Sequence, residues 1–232
     1  MDCKYCLEEK NNSQKSCIEM VPIFSNLTAE EMAEIAMITV GREYKKGETI
    51  YLAGEKGERL YVIHNGKVKI SRISEAGKEQ IIRIVGPGDF IGELTLFSNT
   101  PLNSNAEALE LTTVCIIDGK KLNQIIIKRP SIAVKIIEEL SNRLQGAENL
   151  IESLGLHDVE QRVADTLLSM AKDQKEIMLE ISKKDLAAYI GMSQETLSRK
   201  LSFFQEMGWI KQIGHRKIHI LDRESLQNIA GI

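Results

Sequence analysis

The sequence predicts an α+β chain: a small β-barrel or jelly roll, then a long helix, then a winged helix-turn-helix. Three observations predict it. Short alternating runs between about Ile23 and Asp118 are cut by glycines roughly every 8 to 12 residues. A heptad pattern follows Pro130. Two cappable helical stretches meet at Gly191 near the C-terminus.

Four segments follow from these signals: a cysteine-bearing stretch over 1–20, a barrel over 21–128, a long helix over 129–155 and a C-terminal domain over 156–232. The stretch Thr28-Ala-Glu-Glu, with Met32 and Ile35, predicts a short capped helix ahead of the barrel. Gly41, Gly47, Gly54, Gly57, Gly66, Gly77, Gly86, Gly88 and Gly92 then separate runs such as Tyr61-Val-Ile and Lys67-Val-Lys-Ile-Ser-Arg-Ile. Many short strands at that spacing close best into a barrel or double sheet.

In the long helix, Ile137, Leu140, Leu144, Ala147, Ile151 and Leu154 form an a/d seam, with charged residues off it. A helix of about 24 residues outruns what a small barrel covers, so the seam predicts a parallel homodimer, with burial of the helix within its own chain as the alternative. Gly155 is expected to end it.

Ser182 is expected to cap a first helix with Leu186, Ala187 and Ile190 on its apolar face. Gly191 supplies the left-handed turn, and Ser193 caps a second helix. Ala187 is small where the two helices must cross closely. The second helix opens with Gln194, Glu195, Thr196, Ser198 and Arg199, side chains suited to reading base edges, and Ser193 at the cap is expected to contact DNA with them. Trp209–Ile213 and Lys217–Leu221, around Gly214-His215-Arg216, predict a wing. There Lys211, Arg216 and Lys217 would meet phosphates.

Charge distribution supports this. Ile181 to Ile220 carries seven Lys/Arg against three Asp/Glu, or +4, so the rest of a chain of net charge -3 carries -7. A basic module on an acidic body suits duplex DNA as partner. The 43% hydrophobic and 27% charged content is that of a globular protein, and no apolar run approaches membrane-spanning length. The polar N-terminus does not read as a signal peptide, so the expected place is the cytoplasm, away from membranes. No Ser-His-Asp set, paired carboxylates or P-loop suggests catalysis, and His64, His157, His215 and His219 are dispersed. The chain is not expected to be an enzyme.

Cys3, Cys6 and Cys17 crowd one end, and Cys115 lies far off in Thr-Val-Cys-Ile-Ile. Three thiols on a polar tail have no core to fill. Their spacing suits an iron–sulfur cluster, a zinc site or a thiol–disulfide switch, and a set without sensory role stays open beside these.

The order of modules, Gly88-Asp-Phe-Ile-Gly-Glu-Leu94 and Glu195-Thr-Leu-Ser-Arg199 together resemble the Crp/Fnr superfamily of transcription regulators over nearly the whole chain. The resemblance implies a cyclic-nucleotide-binding-type barrel, a dimerisation helix, and RNA polymerase as a further partner if the protein activates. Cyclic AMP is not expected. Gly92-Glu93-Leu94 is kept, but Asn103, Ala147 and Glu148 stand where the cyclic-AMP receptors carry Arg and Thr-Ser. On this reading no charge remains to offset the cyclic phosphate, and Glu93 becomes a turn carboxylate. Glu-x-x-Ser-Arg is similar to the Fnr branch. That implies Arg199 on guanine, Glu195 on a cytosine amino group, Ser198 facing thymine, and an inverted TTGAT-like half-site. Fnr-type oxygen sensors also imply a [4Fe–4S] cluster on Cys3, Cys6, Cys17 and Cys115. The ten residues between Cys6 and Cys17 are about twice the family's usual number. A small organic effector in the barrel is the other input the resemblance allows.

Overall fold

A computed structural model describes residues 18–98, 100–172 and 174–231, with the side chains of 153 and 154 also left aside. The chain divides into two compact units: residues up to Ile73 with Ile82–Leu144, and Ser74–Ile81 with the chain from Gln145 on.

The first unit opens with a 3-10 turn, Pro22–Phe24, and helix α1, Ala29–Met37. Thr28 and Glu31 cap α1 reciprocally, the Thr28 amide donating to Glu31 Oε2 at 2.8 Å and the Glu31 amide to Thr28 Oγ1 at 3.3 Å. Strands β1 Thr39–Tyr44, β2 Thr49–Tyr51, β3 Arg59–Asn65, β4 Val68–Ile73, β5 Glu79–Val85, β6 Phe90–Ile91, β7 Asn105–Ala108 and β8 Thr112–Asp118 form two four-stranded sheets. One sheet runs β1-β8-β3-β6 and the other β2-β7-β4-β5, the double sheet of a jelly roll. Helix α2, Glu93–Ser98, follows β6, and α3, Gly119–Lys128, follows β8. Asp118 caps α3 by accepting from the Lys121 amide at 2.9 Å.

Alternation along β8 gives the barrel two cores. Val114 packs between the sheets with Ile63, Ile70, Ile91 and Ala106. Cys115 and Ile117 face the other way, into a cluster with Ile18, Val21, Phe24, Ile35, Leu122, Ile132 and Ile136. Gly92 has φ +90, and a Cβ there would lie 2.5 Å from the Arg59 carbonyl oxygen. Only glycine fits that turn.

Helix α4 is a single run, Pro130–Leu156. It passes through Gly155, which keeps a negative φ and does not end it. The chain turns instead at His157, where Asp158 caps the next helix. Val134, Ile137, Leu144, Ala147 and Ile151 are exposed along α4, whereas Leu140 packs against the cluster that holds Cys115. The open stripe therefore recurs every seven residues at 137, 144 and 151. Leu140 leaves the expected seam, because the barrel side of the helix claims it along with Ile132 and Ile136.

The second unit contains α5 Val159–Ala171, β9 Glu176–Met178, α6 Lys183–Tyr189, α7 Gln194–Glu206, β10 Ile210–Ile213, β11 Lys217–Ile220 and α8 Arg223–Ala230. Its sheet runs β10-β11-β9. No helix among the described residues is long and apolar enough to cross a membrane.

Candidate nucleic-acid interface and sensor site

The helix-turn-helix is built from short signals. Ser182 Oγ accepts from the Asp185 amide at 3.1 Å, and Ser193 Oγ accepts from the Thr196 amide at 3.1 Å. Between them Gly191, at φ 75, reverses the chain, and the Met192 amide donates to the Ala187 carbonyl at 2.9 Å. Leu186, Ala187 and Ile190 are buried on α6, as are Leu197, Leu201 and Phe204 on α7. That buried face leaves Gln194, Glu195, Ser198 and Arg199 exposed on the other. Thr196 is half-buried and its hydroxyl lies 2.9 Å from that of Ser193, so both side chains serve the cap.

The wing is braced by polar contacts that sequence reading passed over. Lys183 Nζ donates to Gln212 Oε1 at 2.6 Å, and the Gln212 amide donates to Gln205 Oε1 at 2.8 Å. Trp209 packs edge-on to Phe203, with ring centroids 5.9 Å apart, and 5.4 Å from Phe204. Arg216 and Lys211 are exposed. Lys217 instead bonds Glu176 Oε2 at 2.6 Å, while His219 Nε2 lies 2.5 Å from Glu176 Oε1. These hydrogen bonds hold the Glu176 carboxyl below its usual range. Glu176 lies on β9, a strand the sequence reading left out, and no periodicity in three residues could have revealed it.

Cys115 is 1% exposed in the middle of β8, opposite Gly41 on one neighbouring strand and Val62 on the other. Ile18, next in sequence to Cys17, is 2% exposed in the same cluster. Cys3, Cys6 and Cys17 lie outside the described residues. Among the described residues no group of three or more His, Cys, Asp or Glu is placed to hold a metal ion.

A polar cluster in the barrel corrects two expectations. Glu93 is not a turn carboxylate: it opens α2 with its side chain 5% exposed, and Oε1 accepts from Arg83 Nη2 at 2.8 Å and Arg143 Nη1 at 3.0 Å. Nor does Asn103 leave the site without positive charge, since these two arginines arrive from β5 and α4. Arg143 also bonds Glu139 at 2.9 Å and stacks over the Phe90 ring at 4.1 Å. Nearby, burial pushes the Tyr51 hydroxyl up to about 12. Asn103, Ala147 and Glu148 are all exposed.

This architecture matches two family descriptions: "Cyclic nucleotide-binding domain" over residues 41–129 and "Crp-like helix-turn-helix domain" over 161–229. The chain is 31% identical over 217 residues to a probable transcriptional regulator, flp, of Lacticaseibacillus casei, covering 93% of this chain and 98% of that one. The chain belongs to the Crp/Fnr family of transcription regulators. This Crp/Fnr regulator is also 31% identical over 211 residues to the CRP-like cAMP-activated global transcriptional regulator of Mycobacterium tuberculosis, covering 88% of this chain and 94% of that one. Among solved structures it resembles FixK2 from Bradyrhizobium japonicum, with TM-score 0.72 and 28% identity over 83% of this chain and 97% of that one. The Crp/Fnr regulator is accordingly a DNA-binding protein and not an enzyme.

Proposed function

We propose that this transcription regulator binds an inverted TTGAT-like repeat as a homodimer, with an affinity set by oxygen or thiol redox state. One observation carries the redox part: Ile18 is buried in the same cluster as Cys115, so the residue next to Cys17 enters the core where the fourth cysteine sits. The open α4 stripe at Ile137, Leu144 and Ile151 supports pairing of two chains. The exposed Glu195, Ser198 and Arg199 support base readout by α7, with Arg216 meeting phosphate.

Cys115, with Cys3, Cys6 and Cys17, would hold a [4Fe–4S] cluster. When bound, such a cluster supplies an oxygen-labile link among four thiolates. A reversible disulfide from an N-terminal thiol to Cys115 would tie the same two regions together. In either form, the N-terminal segment is held to or released from the core that carries Ile132 and Ile136 of α4. RNA polymerase is the further partner if the regulator activates.

Iron and sulfide content of oxygen-free protein, visible absorbance, and salt-matched titration of the palindrome test this reading. Iron and sulfide that vanish with the absorbance in Cys115→Ser, together with tight operator binding, support the cluster. Iron-free protein whose operator affinity follows added thiol or oxidant supports the disulfide. Operator binding indifferent to redox state and to Cys115→Ser overturns the redox reading.

A further inference from the structure

Glu93 is held in an unusual way. One carboxylate oxygen takes two guanidinium donors, while Oε2 is buried without a hydrogen-bond partner among the described residues. A carboxylate so withdrawn from water keeps its charge only where cations compensate it. Arg143 is shared with Glu139 and stacked on Phe90, so it offers Glu93 only part of its charge. Arg83 supplies the remainder.

The places these groups come from give the triad a mechanical role. Arg83 lies on β5, the edge strand of one sheet. Glu93 follows β6, the edge strand of the other, with Gly92 alone between β6 and α2. Arg143 lies on α4, next to Leu144 of the open stripe. A single carboxylate thus fastens two sheet edges and the long helix.

We propose that Arg83 is an internal effector: its guanidinium donates to the buried Glu93 carboxylate, holds it against Arg143 and sets α4 with no small molecule bound. Arg83 then engages Glu93 Oε1, the oxygen it shares with Arg143, so a ligand hydroxyl reaching that oxygen has to displace a guanidinium.

Chemical rescue of the full chain tests this. Arg83→Ser should lower both operator affinity and the folding equilibrium constant by about tenfold or more, because Glu93 is left undercompensated. Millimolar guanidinium chloride should then restore both, and equal sodium chloride should not. Arg83→Met keeps the volume without the charge and should behave like Arg83→Ser before rescue. If single variants fail to fold, the pair Arg83→Met with Glu93→Gln should fold again, since both charges are gone. The proposal is overturned if Arg83→Ser and Arg83→Met match the wild type. It is also overturned if their defects resist guanidinium and simply add to that of Glu93→Gln, if the paired variant also fails to fold, or if the wild-type chain binds cyclic AMP saturably. None of these outcomes depends on iron content, so this inference and the redox reading fail separately.

Discussion

Arg199 Nε and Glu195 Oε1 stand 4.0 Å apart on the exposed face of α7, one helical turn from each other. At that distance between solvated groups the pair adds little to stability. It leaves the guanidinium beside the carboxylate on one open face, as the proposed readout of neighbouring base pairs by these two side chains requires. Arg199→Ala should therefore cost about 1–3 kcal/mol in operator binding and blur preference at one base pair, with thermal stability unchanged. Anisotropy titrations of matched and single-substituted palindromes at fixed salt check this. Arg216→Ala should instead weaken all duplexes alike and flatten the salt dependence.

The stripe on α4 predicts a weakened dimer in Leu144→Glu. Burying one such side chain contributes about 1.5–3 kcal/mol, and a symmetric pair loses it twice. The dimer dissociation constant should rise by about a hundredfold or more, read by sedimentation equilibrium. Leu140→Ala should act differently, lowering the stability of the barrel unit, because its side chain packs inward.

Gly92→Ala should destabilise the barrel by roughly 2 kcal/mol or more. The residue sits at φ +90 and the added Cβ would meet the Arg59 carbonyl at 2.5 Å, so it carries a backbone cost and a clash together. Urea unfolding gives the value. An alanine at Gly47, also at positive φ but with nothing near its Cβ, carries only the first cost and should destabilise less.

The wing predicts a pH dependence of known sign. Lys217 and His219 hold the Glu176 carboxyl below its ordinary 4.5 in the folded chain. A depressed folded value means that the stabilisation is present above pH 4.5 and is lost as pH falls through the folded value. Carboxyl resonances followed by NMR should show Glu176 titrating late on acidification. Lys217→Met should move its midpoint upward.

Much of the fold was legible because its signals are local. Ser182, Gly191 and Ser193 specify the helix-turn-helix within about a dozen residues, and glycine spacing marks the barrel strands. The polar cluster was not legible, since Arg83, Glu93 and Arg143 come from a strand and two helices that only the tertiary fold brings together. Leu140 misled for a related reason: heptad spacing ranks residues on one helix without saying which neighbour claims them. Lys217, expected to meet phosphate, also pairs with Glu176, a partner that becomes visible only when β9 is brought alongside it. For the cysteines, spacing identifies the chemistry available, and burial of Cys115 and Ile18 adds where it would act.

The open face of α4 also links control to abundance. Where Ile137, Leu144 and Ile151 find their counterparts on another chain, the species able to span two half-sites grows with the square of free subunit while single chains predominate. Doubling synthesis would then raise that species about fourfold. On the proposed pairing, the rate at which a cell makes the chain would be an input in its own right.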